Sequence, residues 1–418
     1  MKRILLLSTA LMTGGIVPAA AVEPQAVVST YADIALATFE DSLSTAETLR
    51  EAIGKLVEAP SEETLGAARA AWLAARVPYQ QSEAYRFGNA IVDEWEGRVN
   101  AWPLDEGLID YVDAGYGTES DTNAFYTVNI IANDKISSGG TEIDATTITP
   151  DVIQSLHEVG GIEANVATGY HAIEFLLWGQ DLNGTEAGAG ARPASDFDPA
   201  NCTGGHCERR VQYLTAAADL LIADLQEMVA NWQTDGEARA SVTGDAKAGL
   251  TAMLTGLGSL SYGELAGERM KLGLLLNDPE EEHDCFSDNT HNSHYYDLVG
   301  IRNVYFGSYE RVDGSKVEGP SLADLVAEKD GALAEELKTK LDVTLTAMTA
   351  LKERAEGGEA YDQMIGQGND EGNAVVQAAI DGLVDQTRSL ERAIAALDLS
   401  GIELEGSDSL DNPNAVFQ

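Results

Sequence analysis

Two side chains in one apolar stretch offer metal chemistry. His171 and Glu174 stand three residues apart in Asn165-Val-Ala-Thr-Gly-Tyr-His-Ala-Ile-Glu-Phe-Leu-Leu-Trp178. On a helix that spacing puts them on one face, with Cβ atoms roughly 5–6 Å apart. Val166, Ile173, Phe175, Leu176, Leu177 and Trp178 around them are expected to be mostly buried. A buried imidazole and carboxylate need partners, because an unpaired buried polar group is costly. A metal ion satisfies both, and a mutually hydrogen-bonded core pair is the alternative. Gly169 lacks a side chain one turn before Ile173, which lets another backbone or a ligand come close.

A second carboxylate-bearing helix is expected from near Thr243. In Ser261-Tyr-Gly-Glu-Leu-Ala-Gly-Glu-Arg-Met-Lys-Leu-Gly-Leu-Leu-Leu276, helical spacing places Glu264 and Glu268 on one face, flanked by Gly263 and Gly267. For Glu264 an ion pair with Arg269 is the competing use. One imidazole with two or three carboxylates makes an N/O site suited to iron, zinc or manganese more than to copper(I). The expected ligands are therefore His171 and Glu174 from one half of the chain, with Glu264 and Glu268 from the other. Glu83, Arg86, Trp178 and Arg269 are expected to support them or grip a bound group, although Glu83 and Arg86 are also spaced to pair with each other. Glu280 to His294 is dense in potential ligands, and Glu280-x-x-His283 has the spacing of di-iron carboxylate bundles. It occurs once, just after Pro279 at a loop-to-helix junction, which disfavours a ferritin-like centre. His291 and His294 could ligate, cap a helix or lie exposed.

The wider strings carry a resemblance. Gly169-x-His171-x-x-Glu174, running on into Phe-Leu-Leu-Trp-Gly-Gln-Asp181, resembles the GxHxxE motif of the imelysin-like family, which includes iron-regulated proteins of bacterial envelopes. Arg76 to Gly88, Val99 to Asp105 and Glu282 to Thr290 are similar to the iron-regulated branch. The resemblance implies two helical bundles, one metal ion with iron foremost and zinc or another divalent ion as alternatives, and a part in envelope iron uptake with transport components as partners. It also raises a metallopeptidase alternative. Zinc peptidase helices carry HExxH, whose internal Glu is the general base. Here Ala172 and Ile173 stand between His171 and Glu174, so a peptidase would need a base from elsewhere. A third reading is an interaction protein whose His–Glu pair is structural.

The elements that must position these residues read as helices. Tyr31, Ile34, Phe39, Leu43, Leu49, Ile53 and Leu56 form one stripe, closed by Pro60. Leu214 to Trp232, Leu333 to Met348 and Val376 to Leu397 form others at three- and four-residue steps. With no sustained strand alternation, they define an all-α protein of helical bundles, and the two bundles that the resemblance implies are assigned to residues 22–205 and 206–418. The glycine, polar-pair and leucine-run pattern shared by the two motif helices would fit a duplication. Gly88 to Pro150 and Asn183 to His206 read as long irregular connections, and Phe125 to Ile131 fits either a short strand or a helical turn.

Residues 1–21 read as a signal peptide: Lys2 and Arg3, a short apolar run, then Ala19-Ala-Ala21 as the cleavage site. No later segment is long and apolar enough to span a membrane, so a periplasmic or envelope location is expected. In that oxidising setting Cys202 and Cys207 suit a local disulfide better than a zinc site with His206 and His283, and Cys285 is left over. The chain has 69 acidic against 26 basic residues, a formal charge of −43. Such a surface repels nucleic acid and anionic lipid, which are bound through Lys and Arg.

Overall fold

The computed structural model describes residues 21–138 and 140–417. All of the assigned signal peptide except Ala21 lies outside the described residues. The protein is mainly helical, as its stripes require. Helix α1 (Pro24–Glu58) begins with proline, whose missing N–H costs nothing there, and stops just before Pro60. Helix α2 (Glu62–Ser82) starts at a capping box in which Ser61 and Thr64 satisfy each other's backbone N–H groups. Helix α3 (Ala90–Asn100) is capped by Asn89. Then follow α4 (Gly169–Trp178), which carries the HxxE residues, and α5 (Cys207–Trp232). Helix α6 (Ala246–Ser259) runs without a break into a π-helix over Leu260–Lys271. After a loop come α7 (Thr290–Phe306), α8 (Gly331–Glu356), the short α9 (Tyr361–Ile365) and α10 (Asp370–Ala396).

Helix α1 packs along α2 and α5, α7 lies against α2, and α10 packs on both α8 and the π-helix. The apolar stripes meet in one continuous core that runs from Val27 to Leu399. Helix α5, which the sequence boundary at 205/206 assigns to the second bundle, therefore lies against the first helix of the chain. Two small antiparallel hairpins, β1–β2 (Lys135–Ser138 with Thr141–Asp144) and β3–β4 (Ser308–Glu310 with Lys316–Glu318), complete the architecture. None of the helices is long and apolar enough to cross a membrane among the described residues.

The long connections are folded over the helices. Phe125 to Ile131 is neither strand nor helix but a series of turns. It is held because Asn129, Ile130 and Ile131 donate N–H bonds to the carbonyls of Gly107, Leu108 and Ile109. The Arg209 guanidinium then reaches the carbonyls of Ile130, Ile131 and Ala145 from α5. Arg192 of the second connection pairs with Asp110 of the first, which also binds Arg210 of α5, each at 2.7 Å. The Cys202–Cys207 disulfide is formed there, and Cys285 is free.

Candidate metal centre

Helix α4 exists where it does because Gly169 opens it. Gly169 has φ +81°, a left-handed conformation that disfavours side chains, and a Cβ there would overlap the Val99 carbonyl of α3. The close approach lets α4 pack against α2 and α3 with all ten of its residues buried. Trp72 of α2 donates its indole N–H to the Tyr170 carbonyl at 3.0 Å, which fixes the register between the two helices.

His171 and Glu174 meet as their spacing requires. His171 Nδ1 lies 3.0 Å from Glu174 Oε2, both side chains are at most 1% exposed, and His171 Nε2 has no hydrogen-bond partner. The other carboxylate oxygen of Glu174 accepts from the Ser287 N–H (3.0 Å) and hydroxyl (2.6 Å). The loop between the π-helix and α7 supplies the rest. The His283 ring stands edge-on to His171 with centroids 4.8 Å apart, and Asp284 Oδ1 is 4.0 Å from His171 Nδ1. One ligand atom from each of His171, His283 and Asp284 lies within 4.8 Å of the others, and no other such group occurs among the described residues.

The electrostatics keep the two imidazoles uncharged. Burial, then Arg76 and His283, hold His171 well below the usual imidazole range. Burial, then Arg269 and Arg76, do the same to His283, so both rings are neutral and carry lone pairs. Burial works to raise Asp284, but Arg76 and His171, with the hydrogen bonds from Arg76 and Asn289, together outweigh it and hold this carboxyl below its ordinary value. Arg76 itself is 1% exposed, bound to Asp284 Oδ1 at 2.7 Å and to Asn100 Oδ1 at 2.6 Å. Glu174 is raised well above the carboxylate range by burial and then by Asp284.

The structure does not bring Glu264 and Glu268 to His171. Their segment is a π-helix that faces arginines rather than the imidazoles. Glu264 meets Arg269, its ion-pair alternative, at 2.7–2.8 Å, with Arg86 at 3.4 Å. Glu268 is exposed. Arg269 also binds Glu83 at 2.8 Å and Asp297 at 3.1 Å, so Glu83 pairs more closely with Arg269 than with Arg86 at 3.9 Å. Trp178 packs edge-on against Trp72 under the Arg69 guanidinium, away from the imidazoles. His283, Asp284 and Arg76 are absent from the sequence-derived site. Their signal was the ligand density of Glu280–His294 and the family-like strings that contain all three.

A buried pair of neutral imidazoles beside an ionised carboxylate, on an all-helical frame opened by GxHxxE, defines a class of protein. The family model for imelysin matches residues 35–390, and the chain belongs to the imelysin family. Among particular relatives, iron-regulated protein A of Synechococcus elongatus is 33% identical over 85 residues, which is 20% of this chain and 22% of that protein. The chain thus matches under a quarter of that relative's length. A crystal structure assigned as an iron-regulated protein A precursor, from Parabacteroides distasonis, shares the fold with TM-score 0.64 at 19% identity, over 91% of this chain and 97% of the other. An imelysin-like protein from Psychrobacter arcticum gives TM-score 0.56 at 16% identity, covering 91% and 99%.

Proposed function

We propose that this protein is an exported metal-binding member of the imelysin family that takes part in iron acquisition. The observation that carries this reading is the unpartnered Nε2 of His171, buried beside His283 and Asp284. A buried polar nitrogen without a partner is costly, and a cation supplies what it lacks. The donor set, two imidazoles and a carboxylate, is hard-to-borderline and suits iron or zinc. Iron is favoured by the iron-regulated protein A relatives.

Each residue has a part in holding the ion. His171, His283 and Asp284 would donate to it. Glu174 would accept the Nδ1 proton of His171, which fixes the tautomer that leaves Nε2 free, as carboxylates behind metal-bound histidines do. Ser287 and Arg76 hold Glu174 and Asp284 in place. His171, His283 and Asp284 are at most 2% exposed, so the loop Glu282–Asn289 would have to move for an ion to reach them.

A peptidase of the imelysin type needs, in addition, a base beside a metal-bound water. Glu174 is the one carboxylate bonded to His171, and its oxygens are already taken by His171 and Ser287. Mature protein loaded with iron or zinc is expected to keep the ion and not to cleave unfolded protein above a chelator-treated control. Turnover that vanishes in Glu174→Gln while the metal stays bound would overturn this. Mass spectrometry of the protein produced with its leader should find a mature N-terminus near Val22, and an uncut chain would contradict export by cleavage.

A further inference from the structure

Arg76 stands against every member of the histidine centre. Its Nη2 lies 2.7 Å from Asp284 Oδ1 and 3.3 Å from His283 Nδ1, and its charge acts on the His171 ring as well. It is buried, and among the described residues its one ion pair is with Asp284. Arg269, also buried, acts on both rings too, but it is answered by Glu83, Glu264 and Asp297. Arg76 has Asp284 alone, and Asp284 is the one carboxylate of the ligand group.

Little anionic oxygen is therefore left for an ion. Asp284 Oδ1 already accepts from Arg76, and Oδ2 accepts from Asn289 at 2.7 Å. Glu174 has one oxygen taken by the Ser287 N–H and hydroxyl and the other turned to His171 Nδ1. The two neutral rings, Asp284 and Arg76 together carry no net charge. The cost of moving an ion from water into such a place climbs steeply with its charge, and so does its repulsion from the guanidinium. Two imidazoles and one carboxylate are also the ligand set that suits iron(II). We propose that the centre takes divalent ions and, for iron, the ferrous state alone, with Arg76 as the residue that turns the ferric ion away. The proposal rests on the metal-binding reading above and adds the charge of the ion to it. Ferric iron is left to ligands rich in anionic oxygen, such as polycarboxylates.

The test uses mature protein loaded anaerobically with iron(II) and dialysed to equilibrium against citrate, at a concentration that leaves the ferrous form bound. Half of the sample is oxidised with ferricyanide, and iron per chain is counted by mass spectrometry. Wild type should keep the ferrous ion and give up most of the ferric ion to citrate. In Arg76→Met the ratio of ferric to ferrous affinity should rise at least tenfold, which lowers the reduction potential of the bound iron by at least about 59 mV. Arg76→Lys keeps the charge and should release ferric iron as wild type does; retention there would overturn the role given to the charge. Circular dichroism shows that each variant is folded. Ferric iron held by wild type as firmly as ferrous would overturn the proposal without any variant, and so would an unchanged ratio in folded Arg76→Met. Zinc binding without ferrous binding would overturn it and leave the metal-binding reading standing, whereas loss of both would end that reading as well.

Discussion

Arg76 is where the candidate centre and the stability of the fold meet. Its guanidinium sits 2.7 Å from Asp284 Oδ1 and 3.4 Å from Oδ2, and under the rings of Trp72, Tyr79 and Tyr170 at 5.1–5.5 Å. Arg76→Met keeps much of the stem and removes the charge. Asp284, fully buried, would be left with Asn289 as its main side-chain donor. Breaking a buried pair in this way costs about 3–5 kcal/mol, and the lost ring contacts add roughly 0.5–2 kcal/mol. Urea unfolding of the chelator-treated protein should show that loss as a lower midpoint at unchanged slope. Adding Asp284→Asn should recover at least half of it, because the uncompensated charge is then gone. An ion offered to Arg76→Met should raise its midpoint more than it raises the wild type's, since the ion takes the place of the guanidinium beside Asp284. A single variant within about 1 kcal/mol of wild type, or a double variant no more stable than the single, would refute the reasoning.

Other consequences are as direct. Burial, then Glu280, push Glu106 up to about 7, against an ordinary 4.5. A carboxyl raised on folding contributes stability that is fully present below about 4.5 and lost as pH rises through about 7. Wild type should therefore lose up to about 3 kcal/mol relative to Glu106→Gln between pH 4.5 and pH 8, and parallel urea profiles would contradict this. Gly169→Ala forces a side chain into a left-handed residue against the Val99 carbonyl, so thermal unfolding should show a loss of more than about 2 kcal/mol. A silent substitution there would mean that α4 does not need its close contact with α3.

Much of this was legible in the sequence, for reasons that differ by residue. The pairing of His171 with Glu174 needed only a helix, and the apolar run around them made one. The long helices α1, α5, α8 and α10 are strong stripes, and their existence follows from period alone. The partners of His171 were harder because they come from a loop: Glu282–Asn289 has no periodicity, so nothing local says which way His283 and Asp284 point. Glu264 and Glu268 misled because spacing says that two side chains share a face, not which neighbours that face meets. Glu264 meets Arg269 and Arg86, and Glu268 meets solvent.

The central claim is that His171, His283 and Asp284, and not the carboxylates of the π-helix, hold the metal. Calorimetric titration of chelator-stripped mature protein with zinc, and with iron(II) under anaerobic conditions, tests it most directly. Wild type should bind one equivalent at the histidine centre. His171→Ala and His283→Ala should each lose that signal while circular dichroism stays helical, and Glu268→Gln should titrate like wild type. Binding that survives His283→Ala but disappears in Glu268→Gln would contradict the account and return the site to the π-helix.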